Sequence, residues 1–368
     1  MSLRICTANT SQNKNICFEI MRIVAIFFVI FNHTGNNGYF MFAQWPTNSI
    51  QFWIYMLLSV FCRFSVPLFL AISGALMLKR TNVSLKRLTP KILKMICTLI
   101  VFSICYYIFD TIQRGGNFDW VYAAKRLYSN NLKFHLWYLY LYIAYLISLP
   151  FLCAMVRNLE TKYFYCMIFF AILFNGILPI GEYVITQGTV TLNNSLEVSW
   201  LVSDIILYPC IGYFIQERLD YKKIKEKLPL LWIINLCGLL ICCFMTFYKS
   251  CITNTLLESE SQTFHKSFVV LNCITIFCTF KVLFENIHLK NKGQKAILSI
   301  GKATFGIYLL HPFIMSLDFS TQILQLLQKS GLNYMIGAFI YCFFIMIVCY
   351  GLTFLLSHIP IVKKLIGY

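Results

Sequence analysis

The sequence predicts an all-α polytopic membrane protein of about ten transmembrane helices, forming a single domain over residues 1–368 with both termini cytoplasmic. Three observations predict it. Hydrophobic residues make up 59% of the chain and charged residues 12%, too apolar a balance to wet a soluble surface. Apolar runs long enough to cross about 30 Å of hydrocarbon recur along the whole length, which leaves no stretch for a separate soluble domain. Lysine and arginine crowd into alternate loops, which orients the chain by the positive-inside rule.

The spans are expected at about 17–35, 51–78, 92–112, 134–154, 161–180, 200–216, 228–248, 264–284, 303–325 and 334–358. On the side of the N-terminus lie Lys79, Arg80, Lys86, Arg87, Lys91 and Lys94, then Arg218 to Lys227, then Lys363 and Lys364. The opposite side has fewer cations, among them Arg114, Lys133 and Lys249. A formal charge of +17 would also suit nucleic acid, but its cations sit in short loops between apolar runs. The partner they imply is the lipid bilayer, and no nucleic acid is expected. The 16 cysteines fall mostly inside apolar segments, singly or as the Cys242-Cys243 pair, without metal-ligand or disulfide spacing. They read as small packing residues, and no metal is expected. The first sixteen residues are polar and no small-residue cleavage site follows, so the first apolar run is expected to be a retained span.

That first span, FEIMRIVAIFFVIFNH, carries Glu19, Arg22 and His33. Eleven residues of helix are about three turns, so Arg22 and His33 share one face roughly 16 Å apart along the axis. Glu19, three residues before Arg22, can hold it. Ionisable groups inside hydrocarbon normally face a bundle interior or a watery cavity, which makes this face the first functional candidate. Snorkelling of Arg22 to the interface is the plain alternative.

In the second span, RFSVPLFLAISGALMLKR, Pro67 is expected to bend the helix, and Ser73-Gly74 to let a neighbour or ligand approach closely. Arg63 stands at its outer end. The following run, KRTNVSLKRLTPKILK, holds six cations and no acid. It can simply meet anionic lipid, or Arg87, Lys91 and Lys94 can neutralise a phosphate-bearing ligand at the cytoplasmic mouth. The fourth span opens with FHLWYLYLYIAYLISLP, where His135, Trp137, Tyr138 and Tyr140 form either an aromatic belt or a stacking platform for a sugar ring. Asp204, in SWLVSDIILYPC, is a candidate acceptor group in an apolar setting. The ninth span begins LSIGKATFGIYLLHPFIM, with Tyr308 and His311 on one face and Pro312 expected to end or kink the helix.

Together these segments resemble the acyltransferase-3 family of membrane-bound acyl transferases. The resemblance rests on Glu19, Arg22 and His33 in the first span, on VPLFLAISGALM (66–77), on HLWYLYLYIAYLISLP, and on TFGIYLLHP (304–312), four motifs in order from residue 18 to residue 312. Glu19 replaces the family's more frequent Asp. The cytoplasmic Arg-x-x-Arg is not intact, Lys91-x-x-Lys94 after Arg87 being its nearest equivalent.

The resemblance implies an O-acyltransferase that takes an acyl group, most commonly acetyl, from cytoplasmic acetyl-CoA. The implied acceptor is a hydroxyl of a surface or lipid-linked glycan, and the implied place is the cytoplasmic membrane of a bacterium. In that reading His33, Arg22 and Glu19 are catalytic, while Arg22, Arg87, Lys91, Lys94 and Ser73 meet the acyl-CoA. His135, Trp137, Tyr308, His311 and Asp204 would hold the acceptor. A glycan flippase, exporter or polymerase-like protein without CoA chemistry would use the same aromatic rim and intramembrane ions, and is the alternative.

Overall fold

The structure, a computed structural model, describes residues 2–81, 83–129, 132–196, 198–253, 263–285, 287 and 289–367, with side chains from residue 16 onward except at 194 and 263. Regular structure among the described residues is helical throughout. In chain order the α-helices are α1 (Ser2–Asn32), α2 (Ile50–Phe61), α3 (Ser65–Met77), α4 (Leu85–Gln113), α5 (Trp120–Ser129), α6 (Trp137–Asn158), α7 (Thr161–Ile172), α8 (Leu178–Thr186), α9 (Asp204–Glu217), α10 (Tyr221–Thr253), α11 (Val269–Phe284), α12 (Asn291–Met315), α13 (Asp318–Lys329), α14 (Tyr334–Leu356) and α15 (Pro360–Ile366).

Eight helical runs among the described residues are long and apolar enough to cross a membrane, and they overlap eight of the ten expected spans. The eight do not include α1 or α9. Two of the expected spans, the second and the fifth, each comprise two helices. The second consists of α2 and α3 joined by a 3-10 turn at Cys62–Phe64, and the fifth of α7 and α8 joined by a π turn at Leu173–Ile177. Pro67 therefore does not bend a continuous helix. It sits in the first turn of α3, where a missing N–H costs nothing because no helical carbonyl awaits it. The ninth span is also shifted, running over Asn291–Met315 with Pro312 inside it. The Ser316 amide closes it by bonding the carbonyls of Pro312 and Phe313 at 3.2 and 3.3 Å.

The outside of the bundle is apolar in the way only lipid tolerates. On α14, Ile336, Ile340, Phe343 and Ile347 are exposed at helical spacing, as are Ile233, Leu236, Leu240 and Phe244 on α10. Such stripes on a water-facing surface would be binding patches, so their repetition marks a hydrocarbon boundary. Inside, the largest buried cluster lies where α1, α2, α12 and α14 meet, around Phe31, Phe52, Ile307, Tyr341 and Ile345.

Because lipid tails are as apolar as leucine, helices in a membrane are held by close packing and hydrogen bonds instead of by water exclusion. Both are present. A Cβ on Gly74 of α3 would lie 2.0 Å from the Pro209 carbonyl oxygen, and one on Gly212 of α9 would lie 1.8 Å from that of Ala71. The two glycines thus let α3 and α9 touch backbone to backbone, as the Ser-Gly pair suggested. Polar glue comes from Asn272 on α11, which donates to the Phe61 carbonyl at 2.6 Å and accepts from Asn235 of α10 at 3.3 Å.

Candidate active site

The bundle holds a half-open cavity of about 640 Å³ walled by α1, α3, α4, α6 and α12. Its long axis follows α1 and α12, which lie side by side in the same sense. At one end Glu19 packs on Gly301, and at the other His33 meets His311. Lys94, Met95, Gly301, Phe305 and Gly367 line the first end, and His33, Asn32, Phe134, His135 and Trp137 line the second. Arg22, Ser73, Thr304, Tyr138, Tyr142 and Tyr308 lie on the wall with them. A separate cavity of about 190 Å³, beside Asn175, Glu182 and Ser199, carries no histidine.

Arg22 is held from within its own helix, its Nη1 donating to Glu19 Oε1 one turn earlier. The Glu19 carboxylate fits because position 301 is glycine: a Cβ there would sit 2.2 Å from Glu19 Oε2. Glu19 fixes the arginine rotamer, and Arg22 faces the cavity instead of snorkelling to an interface.

The far end is organised by a proline. In an α-helix the residue at 312 should donate its N–H to the carbonyl of Tyr308, but Pro312 has none. His311 fills the gap, placing Nδ1 2.8 Å from the Tyr308 oxygen and 3.2 Å from that of Ile307. A carbonyl only accepts, so Nδ1 of His311 carries the proton and its Nε2 presents a lone pair. That Nε2 lies 2.8 Å from Nδ1 of His33, with the two ring planes inclined by 25°. In the neutral pair His33 Nδ1–H is then the donor, which leaves His33 Nε2 as the unprotonated nitrogen. The chain Pro312, Tyr308 carbonyl, His311, His33 thus selects one tautomer of the cavity-lining imidazole.

His135 is the third imidazole, only 1% exposed, and it lines the same end. Neither of its ring nitrogens has a hydrogen-bond partner. Its ring is wedged between Tyr106 (centroids 4.9 Å apart) and Tyr308 (5.6 Å), and the Tyr308 hydroxyl donates to the His135 carbonyl at 2.7 Å. Buried polar atoms are normally bonded, so two orphaned nitrogens beside a cavity mark a place for a ligand. Asn32 adds a third such atom. Its Nδ2 is bound to Ser65 Oγ at 3.1 Å, while its Oδ1 is buried without a partner. Arg63 borders the same end, its guanidinium 4.8 Å over the Tyr39 ring.

Of the residues singled out from sequence, Arg22, His33, Ser73, Lys94, His135, Trp137 and Tyr308 all line this one cavity. Glu19 and His311 stand behind Arg22 and His33 respectively. His311 therefore meets the cavity through the other histidine. Arg87 and Lys91 are exposed and do not belong to the wall; at i and i+4 before Lys94 at i+7, they continue its helix face away from the cavity. Asp204 is not on the wall either. It is exposed in the first turn of α9, and its apolar neighbours in sequence belong to the buried side of that helix. Tyr142, Asn32, Gly301 and Gly367 are wall residues that sequence reasoning passed over. Tyr142 was discoverable, four residues after Tyr138 on the same helix face.

Fold and chamber together define a polytopic integral membrane protein with a largely apolar chamber that carries a guanidinium, a tautomer-selected imidazole and a second, unpartnered one. A family model described as an acyltransferase domain matches residues 15–354, nearly the whole chain, and the chain belongs to this acyltransferase-3 family. It is a membrane acyltransferase. No curated protein and no solved structure matches it.

Proposed function

We propose that the protein is an O-acyltransferase that moves an acyl group, acetyl by preference, from acyl-CoA to a hydroxyl of a surface or lipid-linked glycan. The observation that carries this reading is the 2.8 Å contact between His33 Nδ1 and His311 Nε2 on the cavity wall, because it supplies a base of defined tautomer. A carrier without chemistry has no use for one. The positive-inside bias turns the Lys94 end toward the cytoplasm, where acyl-CoA resides, and the His33 end toward the outer leaflet.

The division of labour follows from position. Arg22, locked by Glu19, orients the donor through a guanidinium fork. His33 Nε2 takes the proton of the acceptor hydroxyl as its oxygen attacks the thioester carbonyl. A C–O bond forms and the carbonyl electron pair moves to oxygen. His135, through one ring N–H, donates to that oxyanion. As the C–S bond breaks, His33 returns the proton to sulfur, so ester and free thiol leave with the proton count unchanged. His311 keeps its hydrogen bond to His33 throughout and supports the transient imidazolium. Tyr138, Tyr142 and Trp137 offer ring faces to the pantetheine arm and to a sugar.

Mass spectrometry of surface glycans from cells with the intact protein and with His33→Ala tests the reading. Acetyl increments present only with the intact protein support it. Identical glycan acylation in both strains overturns it.

A further inference from the structure

The family match ends at residue 354, yet the cavity wall includes Gly367, thirteen residues later. The segment that carries it is anchored at its last turn. Ile366 has no exposed surface, the Thr98 hydroxyl of α4 donates to the Leu365 carbonyl at 3.2 Å, and the Gly367 amide closes α15 on the Lys363 carbonyl at 3.2 Å. Gly367 itself takes the left-handed conformation, at φ +73°. A Cβ there would point into the cavity end, 3.4 Å from the Phe305 ring of α12 and 3.6 Å from Nζ of Lys94 on α4. Any side chain at 367 would therefore grow across the gap between α4 and α12.

We propose that Gly367, outside the family-matched region, lines the donor mouth, and that the pantetheine arm of acyl-CoA lies along Gly367, Lys94 and Phe305. The inference rests on the reading of acyl-CoA as donor. A Cβ at 367 would already touch Phe305 and Lys94, so glycine keeps this part of the wall clear for a flexible, amide-bearing arm. The nucleotide phosphates then remain outside, along the stripe of Arg87, Lys91 and Lys94 that runs away from the mouth. The segment thus sets donor affinity without touching the reacting atoms.

Isothermal titration of the full-length protein in detergent tests this with two probes, CoA and phosphate-free pantetheine. Asparagine tolerates the left-handed region, so Gly367→Asn keeps the backbone and adds only bulk at the mouth. The expected result is an affinity about tenfold weaker for both probes, equal to about 1.4 kcal/mol, with the melting temperature of the free protein unchanged. Lys91→Glu should weaken CoA binding and leave pantetheine alone. Unchanged CoA affinity in Gly367→Asn, beside a wild type that binds CoA, would overturn the mouth assignment and spare the donor reading. A wild type that binds neither probe would overturn the donor reading and this inference with it. Equal loss of both probes in Lys91→Glu would contradict the placement of the phosphates outside.

Discussion

His33 and His311, 278 residues apart in the chain, meet through Nδ1 and Nε2 at 2.8 Å, and the second is oriented by the carbonyl that Pro312 leaves without a helical donor. This arrangement does for an imidazole what a buried carboxylate does in a hydrolase triad: it fixes which nitrogen is basic and holds the ring still. It does so without placing a negative charge in the bilayer, where an unpaired carboxylate would be costly.

His311→Phe keeps an aromatic ring at the site and removes the acceptor for His33 Nδ1–H. The turnover rate is expected to fall by about 10²-fold, the lower range for losing an effective general base, with little change in KM. Steady-state kinetics on the folded, membrane-inserted variant checks it, and a change confined to KM would contradict the positioning role.

Pro312→Ala restores a backbone N–H that competes with His311 Nδ1 for the Tyr308 carbonyl. The helix should gain stability, since interior proline costs about 3 kcal/mol in a helix, while turnover falls because the imidazole pair loses its fixed tautomer. Thermal melting and turnover measured on the same preparation check the opposite signs. A variant that is stabilised and fully active would show that the proline does not act through His311.

His135→Phe preserves the packing between Tyr106 and Tyr308 and removes both nitrogens. Turnover should drop by about 10² to 10³-fold, as for other single oxyanion donors, with KM little changed. Steady-state kinetics checks it, and a rise in KM with turnover intact would contradict the oxyanion role.

Gly74→Leu would force a side chain into a space where even a Cβ lies 2.0 Å from the Pro209 carbonyl. The two backbones must part, and overpacking of this kind costs about 1 to 3 kcal/mol or more. The melting temperature in detergent should fall, while Gly293→Ala, at a glycine with nothing within 4 Å of its Cβ position, should leave it unchanged.

Much of this was legible in the chain because membranes simplify the code. Arg22 and His33 stood out because a charge in an apolar run demands a cavity, and the three-turn spacing put both on the wall. The Ser73-Gly74 pair announced close packing, and Gly74 indeed meets α9. What sequence could not supply was the partner of each group. Nothing local links His311 to His33, and the role of Pro312 appears only once the Tyr308 carbonyl is seen with the His311 ring beside it. Asp204 lies off the wall for a related reason: hydropathy reports the neighbours along the chain, not the side of the helix on which one residue falls. Gly301 and Gly367 were silent because a glycine's use as empty space depends on what lies opposite, here Glu19 in one case and Lys94 with Phe305 in the other.

The most direct test of the proposed chemistry is release of free thiol from acetyl-CoA by the purified protein, with and without a hydroxyl acceptor, for wild type and His33→Ala. Acceptor-dependent thiol release by the wild type, reduced at least about 10³-fold in the folded variant, within the range set by general-base catalysis, is the expected result. Release by His33→Ala at a rate near that of the wild type would contradict the assignment of the imidazole as base.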